Sequence, residues 1–150
     1  MGVSPTATDR PAGDIAVGVP VFTRTDALAL CLDSIPDSVA TVYVADNGPE
    51  QDRALYEREW PFDLTVLELP YDCGIGRCRA AIADACTEPY LWVGDCDMEI
   101  ARDGDLKLLR GVLVDNPTLG GISGWLLEGR AVRSGARNLI THRRTAIQEA

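Results

Sequence analysis

Two aspartates, Asp95 and Asp97, stand one residue apart directly behind the apolar run 90–94. Such a run is typical of a buried strand, so both carboxylates are expected at a strand end, where they can share a divalent cation. Oxygen ligands suit magnesium or manganese when the ion also holds phosphates. The pattern therefore predicts chemistry on a nucleotide diphosphate. Aspartate also forms turns and helix caps at strand ends, and an isolated Asp-x-Asp is more often structural.

Short apolar runs and amphipathic segments alternate along the chain from Ile15 onward. The runs predict strands at 15–21, 39–44, 64–69 and 90–94. The amphipathic segments predict four helices: one capped by Thr25 or Asp26, and others over about 51–59, from Gly74 or Gly76 to Thr87, and over about 105–114. This alternation predicts parallel pairing and a three-layer α/β/α sandwich with a mostly parallel sheet. A fifth strand within 119–127 is expected at an edge because its glycines weaken it.

Each predicted strand is followed by a polar cluster, and ligands of parallel sheets gather at the carboxyl ends of the strands. The clusters are Thr23–Arg24, Asp46–Asn47, residues 74–79 and residues 95–97. Since parallel strands end at one edge of the sheet, the four clusters are expected to form one binding site.

Three interpretations use these loops. Class I methyltransferases that use S-adenosylmethionine have a similar strand, glycine turn and helix, with an acid near the place of Asp95. The glycines at 74 and 76 also half-fit a dinucleotide-binding motif, although Arg79 replaces its third glycine. Both interpretations place a tight glycine turn after the first strand. In this chain, residues 70–72 separate the strand from the glycines, and two strand–helix units precede the glycine turn. Neither feature fits the two interpretations.

The third interpretation uses all four loops. From about Ile15 to Trp125 the chain resembles the family 2 glycosyltransferases of the GT-A fold, mainly their N-terminal nucleotide-sugar-binding part. The similar segments are 19–24 (opening strand and turn), 44–48 (second-strand Asp-Asn-Gly), 74–79 (glycine and arginine at a helix start) and 90–97 (strand and Asp-x-Asp). The chain departs from the family pattern at Pro49, Ala80 and Ile82, where Ser, Asn and Gly are usual.

The resemblance implies a metal-dependent glycosyltransferase that moves a sugar from a nucleotide diphosphate to an unknown sugar, lipid or protein acceptor. Magnesium or manganese would neutralise the leaving pyrophosphate. Asp97 is the expected direct ligand, and Asp95 would share the ion or bind the ribose. Asp46 is expected at the base edge, with an Asx-turn as its structural alternative, and Arg79 at a phosphate. The expected nucleotide-sugar-binding residues are Pro20, Phe22, Thr23, Asp46, Asn47, Gly74, Arg79 and Asp95.

No residue of the chain is assigned as the catalytic base. An inverting transfer needs a carboxylate base, which in the resembling family lies well beyond the Asp-x-Asp. Glu128 is the nearby acid after the fifth strand, and no motif singles it out. A non-catalytic nucleotide-sugar-binding module or fragment is therefore the alternative from another class. A homo-oligomer or a partner subunit could supply the acceptor side.

Composition limits the function further. The 150 residues include 14 basic and 23 acidic residues, and the net charge of −9 argues against a nucleic-acid partner. We expect a flexible tail over 1–14, a nucleotide-sugar-binding domain over 15–128 and a C-terminal segment without clear pattern over 129–150. Trp92 and Trp125 lie in apolar runs and are expected in the core. With no apolar run of about 20 residues and no signal peptide, a cytoplasmic location is expected by default.

Overall fold

The computed structural model describes residues 13–102, 105–128, 130–133 and 139–142. Its strands are β1 (Ile15–Val21), β2 (Thr41–Asp46), β3 (Asp63–Glu68), β4 (Tyr90–Val93), β5 (Gly121–Ile122), β6 (Leu126–Glu128), β7 (Ala131–Arg133) and β8 (Leu139–His142). Its helices are α1 (Thr25–Ser34), α2 (Arg53–Tyr56), α3 (Ile75–Ala85) and α4 (Leu106–Asp115). None of these helices has the length and apolarity that a membrane crossing requires.

The main sheet has six strands in the order β3-β2-β1-β4-β8-β5. Strand β1 pairs in parallel with β2 and β4, and β2 pairs in parallel with β3. Beyond β4 the direction changes, because β8 runs antiparallel to both β4 and β5. Strands β6 and β7 form a separate antiparallel hairpin. The prediction of a mostly parallel sheet is confirmed.

Both faces of the sheet are covered because side chains alternate between faces along each strand. On one face, Val17 and Val19 of β1 join a core with Leu32 of α1 and Leu113 of α4. On the other face, Ala16 packs in a second cluster with residues of α3, Cys78, Ile82 and the adjoining Cys86. The fold is thus the predicted three-layer α/β/α sandwich.

Two predicted helix ends are wrong. Helix α1 begins at Thr25, and its N-cap residue Arg24 makes no side-chain cap hydrogen bond, so neither Thr25 nor Asp26 caps it. Helix α2 is confined to Arg53–Tyr56, although the sequence predicts a helix from about 51 to 59. Nε1 of Trp60 donates to the Leu55 carbonyl oxygen at 3.2 Å, and a longer helix would need that oxygen for its own backbone ladder.

The predicted fifth strand is divided. Strands β5 and β6 belong to different sheets, and Trp125 lies between them with 77% of its surface exposed. Its expected core position is wrong, since the chain leaves the main sheet at this residue. Trp92 is buried as predicted, with its ring against Gly94. The domain boundaries stay a prediction: residues 1–12 lie outside the described part, and β8 of segment 129–150 belongs to the main sheet.

Candidate functional site

The parallel strands β1 to β4 end at the same edge of the sheet, and a cleft of about 340 Å³ opens there. It is lined by Pro20, Val21, Phe22, Arg24, Asn47, Asp72, Gly74, Ile75, Cys78, Asp95, Cys96 and Asp97. Each of the four predicted loops contributes to this lining. The sequence-based expectation that the loops meet agrees with this arrangement.

The loops after β1 and β2 are packed tightly against each other. The Asn47 amide donates to the Val21 carbonyl oxygen at 3.1 Å. In the orientation that gives both of its amide atoms a partner, the Asn47 side chain donates to the Val21 carbonyl oxygen at 2.8 Å and accepts from the Cys73 amide at 3.3 Å. A Cβ atom at Gly48 would lie 1.9 Å from the Phe22 carbonyl oxygen, so only glycine fits this position.

Asp46 is not among the lining residues and is buried, with 3% of its surface exposed. One carboxylate oxygen accepts from the Gly48 amide at 2.9 Å, which is an Asx-turn, and the other accepts from the Tyr56 hydroxyl at 2.6 Å. Burial, and then the Asp46 carboxylate, raise the pKa of Tyr56 above its usual value, so the hydroxyl stays a donor. The Asx-turn expected as the alternative is present, and Asp46 shapes the loop.

The glycine turn between β3 and α3 is pinned to the end of β2. The Leu69 amide donates to the Asp46 carbonyl oxygen at 2.9 Å, and the Asp72 amide donates to the Asn47 carbonyl oxygen at 3.0 Å. Both Asp72 (φ 50°) and Gly74 (φ 88°) adopt the left-handed region, and the chain then enters α3 with Gly74 as its N-cap. This bend places Asp72 and Gly74 in the lining of the cleft.

Both aspartates of the Asp-x-Asp pair with arginines. Nη1 of Arg24 donates to Asp97 at 2.8 Å, and Nη2 of Arg79 donates to Asp95 at 3.0 Å. Arg79 is the fifth residue of α3, one turn later than the first turn expected from sequence. The side chains of all four are between one third and two thirds exposed, so a ligand in the cleft can reach them.

The segment that carries the aspartates is tied to the core at both ends. Before them, the Gly94 amide donates to the Gly18 carbonyl oxygen of β1 at 3.1 Å. After them, the Ile100 amide donates to the Ser34 hydroxyl at 2.8 Å, and that hydroxyl donates to the Cys31 carbonyl oxygen at 2.6 Å. Ser34 at the end of α1 therefore positions the Asp-x-Asp turn from 66 residues away.

The donor set fits a divalent cation that takes its remaining ligands from phosphates and water. Among the described residues there is no group of three or more histidine, cysteine, aspartate or glutamate side chains that could hold a metal by itself. Asp95 and Asp97 would supply two carboxylates, which is the pattern of magnesium rather than of an all-protein cage. The charged lining residues are one arginine, Arg24, and three aspartates, Asp72, Asp95 and Asp97. The formal charge of the lining is therefore negative, which attracts a cation and repels a free anion.

The thiols in the cleft are held in the protonated form. Burial, and then Asp97, raise the pKa of Cys96, and burial, followed by Cys73, raises the pKa of Cys78 to about 11. A thiolate is the nucleophilic and metal-binding form of cysteine, so at neutral pH these residues act as small apolar wall groups.

Six of the residues predicted from sequence line the cleft: Pro20, Phe22, Asn47, Gly74, Asp95 and Asp97. Three do not: Asp46 is buried, Arg79 pairs with the lining residue Asp95, and Thr23 is exposed on the loop after β1. The charged lining residues without a predicted role are Arg24 and Asp72. The signal for Arg24 was its place in the polar cluster after β1, whereas Asp72 enters through a backbone bend that the sequence pattern does not reveal.

No protein-family model and no curated protein sequence matches this chain. Solved structures do match it. The mannosyltransferase PcManGT from Pyrobaculum calidifontis, in complex with GDP-Man and Mn²⁺, superposes with a TM-score of 0.64 at 20% identity, over 95% of this chain and 47% of that one. TarS 1–349 from S. aureus gives a TM-score of 0.63 at 16% identity, over 87% of this chain and 47% of that one. The fold is similar to that of GT-A glycosyltransferases.

A third similar structure is of another kind. The CMP:2-keto-3-deoxy-manno-octonic acid synthetase complexed with CTP gives a TM-score of 0.57 at 12% identity, over 91% of this chain and 77% of that one. Identities this low establish a common fold and no more. The chain spans about half the length of the mannosyltransferase and of the TarS fragment.

Proposed function

We propose that this chain binds a nucleotide-sugar donor together with manganese or magnesium, as the donor-binding part of a family 2 glycosyltransferase. One observation carries the proposal: the ends of four parallel strands enclose a cleft in which Asp95 and Asp97 are both lining residues. The net charge of the lining residues is also the one expected of a metal-dependent diphosphate site. It is negative, and a bound divalent cation would offset it.

In this proposal each side chain has a distinct task. Asp97 holds the cation and Asp95 shares it or binds the ribose, while Arg79 stands beside Asp95 within reach of a phosphate. The bound cation would neutralise the charge that develops on the leaving pyrophosphate. Pro20 and Phe22 form the wall beneath the nucleotide. Asp46 acts at the base end, where its carboxylate fixes Gly48 and its backbone carbonyl fixes the loop before Asp72.

The acceptor side and the catalytic base remain unassigned in this proposal. Glu128 is exposed at the end of β6, in the hairpin outside the main sheet, and does not line the cleft. A nucleotide-sugar-binding module that works with a partner is therefore the second candidate. The methyltransferase interpretation is disfavoured because the glycine turn follows edge strand β3 and the central β1 has none.

Calorimetry tests the proposal directly. Wild-type protein is titrated with UDP-GlcNAc, GDP-mannose, CTP and S-adenosylmethionine, each with and without Mn²⁺. We expect one nucleotide sugar to bind in a Mn²⁺-dependent manner, and Asp97→Ala to abolish that dependence because the ion loses its direct ligand. Asp33→Ala is the matched control, since Asp33 is an equally exposed aspartate in a single arginine pair away from the cleft.

Each alternative gives a different result in the same titrations. Binding of S-adenosylmethionine alone would contradict a glycosyltransferase. Binding of CTP, with release of pyrophosphate once a sugar acid is added to accept the cytidylyl group, would favour a nucleotidyltransferase like the synthetase. Nucleotide-sugar binding without hydrolysis or transfer, for any acceptor offered, would favour the binding module.

A further inference from the structure

Arg24 stands out because it contacts the Asp-x-Asp directly although 73 residues separate them in sequence. It follows β1, lines the cleft, and donates from Nη1 to the Asp97 carboxylate at 2.8 Å. The oxygen that accepts this hydrogen bond belongs to the carboxylate expected to hold the cation. A guanidinium and a divalent cation at the same carboxylate repel each other, so they compete for it.

This ion pair is suited to exchange. Its side chains are 60% and 47% exposed, and exposed ion pairs contribute little to stability. The Arg24 side chain makes no cap hydrogen bond to α1, whose first backbone bond runs from the Leu28 amide to the Arg24 carbonyl oxygen. The guanidinium can therefore leave Asp97 without disturbing the helix.

A displaced guanidinium remains at the cleft because the backbone that carries it is held in place. The loop after β1 is held by the close approach of Gly48 to the Phe22 carbonyl oxygen and by the Asn47 bonds to Val21. Arginine presents a planar set of donors that matches phosphate oxygens. A diphosphate bound to the same cation would lie within the reach of a side chain that has just lost its carboxylate.

We propose that Arg24 is an exchange residue: it pairs with Asp97 until a divalent cation takes that carboxylate, and it then pairs with the diphosphate of the donor. This inference rests on the proposed donor site and adds a residue to it. Arg24 should therefore have opposite effects on two affinities: it weakens binding of the cation alone and strengthens binding of the diphosphate.

The test uses Arg24→Ala with two separate probes. Mn²⁺ alone, followed by electron paramagnetic resonance of the free ion, is expected to bind the variant about two- to fivefold more tightly than wild type, as loss of an exposed competing ion pair implies. UDP or GDP, whichever the wild type binds in saturating Mn²⁺, is expected to bind the variant about ten- to a hundredfold more weakly, as loss of a charge-assisted hydrogen bond implies. Arg24→Lys should lie between wild type and Arg24→Ala on both measures.

Arg58→Ala is the matched control, because Arg58 forms a similarly exposed pair with Asp33 away from the cleft. It should change neither affinity. Equal Mn²⁺ affinity in wild type and Arg24→Ala, including no binding by either, overturns the competition. Unchanged diphosphate affinity overturns the phosphate contact. If wild type binds no nucleoside diphosphate, the proposed function fails together with the phosphate contact, and the Mn²⁺ titration still decides the competition independently.

Discussion

Among single residues, a carboxylate that lies outside the lining of the cleft has the largest part in shaping it. Asp46 accepts two hydrogen bonds while almost fully buried, one from the Gly48 amide and one from the Tyr56 hydroxyl. A buried carboxylate is tolerated only when its oxygens accept hydrogen bonds. The Tyr56 hydroxyl is therefore as necessary to this group of residues as Asp46 itself. Together, Asp46, Gly48 and Tyr56 shape the loops that enclose the cleft.

Tyr56→Phe should therefore destabilise the protein by more than the loss of an ordinary surface hydroxyl. The substitution leaves one oxygen of a buried carboxylate without a donor, and we expect the free energy of unfolding to fall by about 1.5–3 kcal/mol. Urea unfolding measures the change. Tyr71→Phe is the control, because the Tyr71 ring is 66% exposed beside Phe22 and should change stability by less than about 0.5 kcal/mol. Equal effects of the two substitutions would contradict this account of Asp46.

At the element scale, local patterns predicted the elements that local forces determine. The bounds of β1 agree with the sequence, and α3 ends two residues before its predicted end, because the apolar spacing of both elements is continuous. Helix α2 is shorter than predicted because the Trp60 side chain takes the Leu55 carbonyl oxygen, an interaction that helical periodicity does not contain. Strand β8 was not predicted, since four residues carry little pattern and its place depends on pairing with distant β4.

In the site, too, local patterns predict some residues, and contacts between distant residues determine the others. Asp95, Asp97, Asn47 and Gly74 could be chosen because strand ends of a parallel sheet meet at one edge. The side chains that contact the Asp-x-Asp segment could not be predicted from the sequence. Arg24 and Ser34 reach this segment across 73 and 66 residues of sequence. Side-chain pairings of this kind depend on the packing of α1 against the sheet.

The loops after β1 and β2 approach each other closely at Gly48 and Phe22. Gly48→Ala places a methyl group against the backbone of Phe22, which cannot move without shifting the loop that carries Arg24. We expect a loss of about 1–3 kcal/mol in the free energy of unfolding and weaker nucleotide binding. Gly111→Ala in α4 is the control: a Cβ there meets nothing within 4 Å, and stability should rise by about 0.5–1 kcal/mol. Unfolding curves and calorimetry of both variants provide the comparison.

At the scale of the whole molecule, the sheet is assembled from distant parts of the chain. The parallel half, β3-β2-β1-β4, carries the cleft, and the antiparallel pair β8-β5 closes its far side. Ile140 of β8 is fully buried in the main core with residues of β1 and α4. The cleft therefore depends on a strand that contributes no residue to its lining.

Truncation measures this dependence. A chain that ends after Glu128 lacks β8, leaves the outer edge of β4 unpaired and exposes the apolar surface that Ile140 covers. We expect it to lose cooperative thermal unfolding and to elute as aggregates. A chain that ends after His142 keeps every described strand and should behave as the full chain does. Circular dichroism and size-exclusion chromatography distinguish the two, and a folded, monomeric 1–128 chain would show that β8 is dispensable.

The position of β8 also orders events during synthesis. The roughly 45 residues between Val93 and Leu139 take about 2–9 s to translate, and for that time β4 has no neighbour on its outer side. The nascent chain thus presents an open strand edge until the segment that fills it emerges, although its cleft-bearing half is already complete in sequence. Protein yield should consequently depend on how quickly translation passes this interval and on chaperones that cover the edge meanwhile.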